Sequence, residues 1–172
     1  MEILAIVLST LGTICICITP LLKGRDMKLI LLLVFLTNVF LAVSYILSGA
    51  YNGAVSCGVG AAQSIINYFF QRKGKPIPRW LIGIYGAAFL VVNLLVLSKL
   101  ADVLAILAAM AFVLEISQKN GKLFRMWKAV NAVLWIVYDL VTLSFGPLST
   151  HAIQLGSTVV GIILHDKKKN VA

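Results

Sequence analysis

Residues 80–117 read WLIGIYGAAFLVVNLLVLSKLADVLAILAAMAFVLEIS, a nearly unbroken apolar stretch whose main mid-way interruptions are Lys99 and Asp102. As one helix rising 1.5 Å per residue it would overshoot a hydrocarbon core of about 30 Å by roughly 25 Å. Two spans, near 80–97 and 100–117 with a tight turn between them, fit better. Working outward, apolar runs near 3–21, 29–48, 52–71, 123–143 and 147–165 complete a set of seven, each close to the ~20 residues needed to cross a bilayer. The fold class expected is an all-α membrane protein with seven transmembrane helices.

Charge placement decides the same division. Lys23, Arg25 and Lys28 lie between the first and second runs, and Arg72, Lys73, Lys75 and Arg79 between the third and fourth. Lys119, Lys122, Arg125 and Lys128 gather around the junction of the fifth and sixth, and Lys167, Lys168 and Lys169 follow the seventh. Of the fifteen basic residues only Lys99 falls elsewhere. Merging the fourth and fifth runs would scatter these clusters over both faces. With seven spans they share one face, which the positive-inside rule makes cytoplasmic and which puts the N-terminus outside. Trp80 and Trp127 sit beside basic clusters, where interfacial aromatic anchors are expected.

Composition agrees. The chain is 60% hydrophobic and only 12% charged, with a mean hydropathy of +0.99. A soluble domain of this size leaves roughly 30–40% of its unfolded surface wet, so so much apolar sequence needs lipid as solvent. The net charge of +9 is not a nucleic-acid signature, because the basic residues mark the ends of apolar runs and form no aromatic-interleaved patch. Cys15, Cys17 and Cys57 fall inside apolar runs at no metal or redox spacing and read as small packing residues. The acidic Met1-Glu2 start and the absence of a small-residue cleavage site make residues 3–20 a retained span rather than a cleaved signal.

A constant shift aligns Asn38 with Asn131, Tyr45 with Tyr138, Leu47 with Leu140, Gly53 with Gly146 and Ser64 with Ser157. Spans one to three and five to seven then form two like-oriented three-helix units joined by the fourth. The division expected is 1–75 for the first unit, 76–98 for the linker helix, and 99–172 for the second unit with its basic tail. Parallel repeats of this kind are a transporter design with the solute site between the halves.

Three spans, a linker and three spans is also the plan of the SWEET and PQ-loop (MtN3-like) transporter superfamily. Within it the chain resembles the bacterial inner-membrane proteins of the YgjV-like family, through Gly24-Arg25-Asp26, Tyr51-Asn52-Gly53-Ala54, Arg125-Met126-Trp127 and Trp135-Ile136. The resemblance implies alternating-access passage of a small polar solute in a bacterial inner membrane, and leaves the solute open. The superfamily's Pro-Gln pair is absent. Pro20 ends the first span and its repeat counterpart is Val113, so a hinge at paired prolines does not carry over.

Polar residues inside the spans are the candidate site. Asn131, Trp135 and Tyr138 share one helix face, with Thr142 continuing the line, and Asn38 and Tyr45 occupy the matching stripe of the second span. The third span offers Ser56, Gly60, Gln63 and Asn67 on one face, and the seventh His151, Gln154 and Thr158. An unpaired amide in hydrocarbon costs several kcal/mol, so these faces should turn toward each other or toward water. They read either as interhelical glue or as the lining of a central pocket. The substrate-binding candidates are Asn38, Tyr45, Gln63, Asn67, Asn131, Trp135, Tyr138 and Gln154, whose amides suit hydroxyls or amides of an uncharged solute.

Asp139 is the one acid well inside a span, and His151 lies about as far beyond the following turn as Asp139 lies before it. The two reach similar depth in a hairpin. They form either a proton-coupling or cation-recognising pair, or an acid reaching up to water beside a vestibule histidine. Glu115, four residues before Lys119, reads as half of an i, i+4 ion pair.

The function expected is a transporter or facilitator for a small polar metabolite, sugar-like or nucleoside- or vitamin-like. The alternative is a non-transporting scaffold or complex subunit. Enzymatic motifs such as H-E-x-x-H or G-x-S-x-G are absent, so no enzyme, cofactor or metal is expected. The partners expected are the solute and the lipid bilayer, with no nucleic acid. Monomer and homo-oligomer both stay open.

Overall fold

The computed structural model describes residues 2–23, 26–47, 51–95, 102–141 and 145–166. Gly24, Arg25, Lys99, Thr142 and Lys167 to Lys169 lie outside the described residues, as do the side chains of Tyr51 to Gly53 and Gly146. Among the described residues the chain is all helical. It forms α1 (Glu2–Ile18), α2 (Met27–Leu47), α3 (Tyr51–Arg72), α4 (Arg79–Leu95), α5 (Asp102–Ile116), α6 (Gly121–Val141) and α7 (Phe145–His165). A 3-10 turn, Thr19–Leu21, extends α1.

Local chemistry sets several ends. α1 loses its regular ladder at Pro20, which has no N–H to give. α3 closes on Gly74, whose φ of 64° is left-handed. The amide of Lys75 reaches back to the Phe70 carbonyl (3.0 Å) and that of Gly74 to Gln71 (3.2 Å), the Schellman arrangement, with Pro76 just beyond. α6 begins behind Asn120, whose side-chain oxygen accepts the Leu123 N–H at 2.9 Å.

Neighbouring helices run antiparallel. Thr37 Oγ1 donates to the Gly12 carbonyl (3.2 Å) and Ser44 Oγ to that of Ala5 (2.8 Å), so moving up α2 means moving down α1. The middle helix of each triplet, α2 or α6, packs against both of its chain neighbours. α2 and α6 each have 21 residues, and α3 and α7 have 22 and 21.

The triplets meet at their ends. Gln63 donates to the Val113 carbonyl (3.2 Å) and Asn67 to that of Ile116 (2.9 Å), so α3 and α5 run side by side in the same direction. α7 meets the end of α1 at the Thr19–Leu21 turn. α4 lies outside this ring, and its Leu81, Tyr85 and Phe89 pack on Ala109 and Val113 of α5.

The surface carries many large apolar side chains while the interior mixes apolar clusters with buried polar groups. Ile3, Ile6, Val91, Leu95, Leu140, Ile153 and Val160 are exposed, whereas Gln63, Asn67, Lys128 and Thr158 are wholly buried. So much exposed apolar surface over buried polar groups suits an apolar solvent. The Ile3–Leu21 segment and α2 are long and apolar enough to cross a membrane, with mean hydropathies of 2.2 and 2.5. α4 and α5 are apolar but shorter.

Two charge assignments are corrected by the fold. Arg125 and Lys128, counted above with the basic cluster at the junction of the fifth and sixth runs, belong to α6 and are 2% and 0% exposed. Glu115 pairs with Lys128 across the α5–α6 hairpin at 3.1 Å, and not with Lys119, which is exposed. A buried Lys needs a carboxylate within reach, because an unpaired charge inside the bundle is far more costly than one left in water.

Candidate functional site

A cavity of about 450 Å³ lies between the triplets. The first triplet lines it with Ser9 and Thr13 of α1 and with Thr37, Asn38, Leu41 and Tyr45 of α2. The second contributes Phe112 and Glu115 of α5, Lys128, Asn131 and Trp135 of α6, and Thr150, His151 and Gln154 of α7. A second hollow of about 180 Å³ adjoins it through Asn38, Phe112, Asn131 and Trp135, and adds Ser56, Cys57 and Asn93.

Helical spacing explains the α6 wall. Lys128, Asn131 and Trp135 stand at i, i+3 and i+7, so they rise along one face over about 10 Å. Asn131 Nδ2 donates to the Ala108 carbonyl of α5 at 2.8 Å. Across the cavity Asn38 Nδ2 donates to its own helix at Val34 (2.9 Å), and its amide fills the space where a Cβ on Gly60 of α3 would stand. A side chain at Gly60 would push the Asn38 amide out of its present place against α3.

Toward the end of the cavity farther from the basic loops, Asp139 Oδ2 and His151 Nδ1 are 2.7 Å apart, with Asp139 buried. With the carboxylate ionised, Nδ1 carries the proton of this bond. Trp135 stacks on His151 (centroids 5.4 Å apart, planes 13° apart) and meets Tyr138 edge-on at 5.5 Å. The tryptophan thus holds the imidazole at the cavity wall from one face while the acid holds its ring nitrogen.

At the other end, nearer the basic loops, the cavity ends on the Glu115–Lys128 pair. Beyond it the end of α1 is fastened to α6 and α7. Arg125 grips Asp166 with Nε (3.0 Å) and Nη2 (2.6 Å), and its Nη1 donates to the Leu22 carbonyl at 3.1 Å. His165 Nε2 donates to the Leu21 carbonyl at 2.7 Å. Hydrogen bonding from Arg125, reinforced by the nearby Lys122 and His165 charges, holds the Asp166 carboxyl below its ordinary value.

Of the residues singled out from sequence, Asn38, Tyr45, Asn131, Trp135, His151 and Gln154 line the one cavity, and Asp139 reaches it through His151. Gln63 and Asn67 lie instead in the dry α3–α5 seam. Their amide nitrogens serve α5 carbonyls, and their oxygens have no hydrogen-bond partner among the described residues. Tyr138 stands behind Trp135. Sequence reasoning missed Lys128 and Glu115 as lining residues, although the α6 stripe carried one turn further toward its start runs through Lys128.

The sequence matches, over residues 3–169, the family model Imp-YgjV, described as a bacterial inner membrane protein. The chain belongs to this family. Lipid as the solvent of the exposed apolar belt follows from that membership. No curated protein and no solved structure gave a match.

Proposed function

We propose that this inner-membrane protein is a seven-span transporter or facilitator that moves a small, net-uncharged polar metabolite by alternating access. Its N-terminus faces outward and its C-terminus the cytoplasm. Residues 1–75 and 99–172 act as two parallel three-helix units and 76–98 as the linker, in a SWEET-like plan. The observation that carries the reading is the meeting of Asn38 and Asn131, aligned residues of the two units, in the wall of one cavity. The matching lengths of α2 with α6 and α3 with α7 support the repeat, as does the crosswise contact of α3 with α5 and of α7 with α1.

In this reading the conformation is the outward-facing one. The clasp of Arg125, Asp166, Leu22 and His165 closes the side next to the basic loops, which the positive-inside rule assigns to the cytoplasm. Transport requires that clasp to open while the far end closes. The Asp139–His151 pair, at the outer part of the cavity, is the candidate proton-coupling element.

A scaffold or complex subunit is the competing reading, and the Gln63 and Asn67 bonds are of the kind it needs. It gives no reason for a polar cavity between the units. The deciding experiment is uptake of radiolabelled sugars, nucleosides and amino acids into proteoliposomes. Transport predicts saturable uptake of one class that Asn131→Ala cuts by more than about tenfold. A folded, correctly reconstituted protein that moves none of them supports the scaffold.

A further inference from the structure

Glu115 and Lys128 are buried, yet both border the cavity where it ends. Their bond, Nζ to Oε1 at 3.1 Å, engages one of three ammonium protons and one of two carboxylate oxygens. Glu115 Oε2 has no hydrogen-bond partner among the described residues. Lys128 is otherwise met by the Phe124 ring, 5.3 Å from Nζ. Each member therefore keeps hydrogen-bonding capacity that no described residue takes up.

Fastening the hairpin does not account for it. α5 and α6 are already tied by Asn131 and the Ala108 carbonyl, and buried ion pairs are often replaceable by apolar residues with no loss of stability. Recognition of hydroxyls or neutral amides does not account for it either, because Asn38, Asn131 and Gln154 supply that chemistry in the same wall without burying charge. What the pair adds is full charge of both signs within one hydrogen-bond length, in a wall of low dielectric. A solute of net charge is attracted by one member and repelled by the other. A solute carrying both charges satisfies both.

We infer that the Glu115–Lys128 pair is the charge-reading end of the solute site and that the solute is a small zwitterion. Its carboxylate meets Lys128 Nζ and its ammonium meets Glu115, while the remainder extends toward Trp135, two helical turns away. This rests on the transport reading and narrows its solute to an amino-acid-like class, away from the sugars and nucleosides that amides and rings alone suggest.

The test is thermal unfolding of the purified protein with L-serine, L-leucine and L-phenylalanine, with their amides and N-acetyl derivatives, and with glucose and uridine. At least one zwitterion is expected to raise the midpoint in a concentration-dependent way, and its two capped forms to lose about tenfold or more in affinity, the scale of one charge-assisted bond. In E115Q/K128Q, which keeps an uncharged hydrogen-bonding pair, the zwitterion effect should disappear. The comparison of capped and uncapped compounds on the natural protein needs no variant and stands if the double variant does not fold. Stabilisation by glucose or uridine but not by zwitterions would overturn the inference and leave transport standing, as would capped forms that bind equally well. A folded protein that no compound stabilises and that takes up none of them overturns both.

Discussion

Gly161 of α7 lies so close to the backbone of Pro20 that a Cβ placed on it would collide with the Pro20 carbonyl. This close approach lets the end of the first helix seat on the last one, where His165 also holds the Leu21 carbonyl. Gly161→Ala should force the two apart and lower stability by roughly 1–3 kcal/mol, the usual size of overpacking in a close-packed interior. Gly156, on the same helix, has open space at its Cβ position. Gly156→Ala should leave the thermal midpoint in detergent unchanged or slightly raised, and equal losses at the two positions would contradict the contact.

The Arg125–Asp166 grip predicts a specific dependence on pH. The Asp166 carboxyl is held below its ordinary value of about 3.9, so its contribution to stability is complete above about pH 4 and is lost as pH falls through the depressed value. Asp166→Asn should therefore lower the midpoint relative to the natural protein at pH 7 and pH 5. The gap should narrow below pH 4. A constant gap across the range would show that the carboxylate charge is not what Arg125 reads.

Asn131 and Asn67 separate the two roles that in-membrane amides can take. Each donates to a carbonyl of α5, at 2.8 and 2.9 Å, so replacing either by an apolar residue should cost about 0.6–2 kcal/mol of stability. Only Asn131 faces the cavity. Asn131→Ala should cut solute uptake by more than about tenfold, whereas Asn67→Leu should preserve uptake per folded molecule. Uptake falling equally in both would mean that stability, not recognition, governs the assay.

For Asp139 and His151 the readout is the pH profile of uptake. Coupling through their 2.7 Å bond predicts that Asp139→Asn slows uptake and flattens its dependence on pH between 5 and 8, the interval in which an ordinary imidazole changes charge. His151→Gln should do the same. An unchanged profile in Asp139→Asn would remove this pair from the coupling step and leave it a holder of the Trp135 wall.

Helix positions were legible because apolar run length is a one-dimensional signal. The run near 29–48 became Met27–Leu47, and the run near 147–165 became Phe145–His165. Asn38 and Asn131, equivalent under the constant spacing, line the same cavity. Facing was harder for α3, because a polar stripe looks the same whether it meets water or a neighbour's carbonyls. Gln63 and Asn67 meet carbonyls that α5 exposes near its end, and those belong to backbone, which no residue pattern reports. Lys128 was misjudged for a different reason. A basic residue close to the start of a span counts as solvated until its partner is known, and Glu115 is thirteen positions away in another helix.

The central claim, a water-filled hollow between two helix triplets that opens on the side away from the basic loops, is tested most directly by thiol labelling. In a background with Cys15, Cys17 and Cys57 replaced by alanine, single cysteines would be placed at Thr13, Leu41 and Gln154 of the cavity wall and at Val137, Ile153 and Val160 of the exposed belt. A charged, membrane-impermeant maleimide applied from the outer face should modify the first three and spare the last three. Equal modification of both sets, or labelling of the belt alone, would contradict the account.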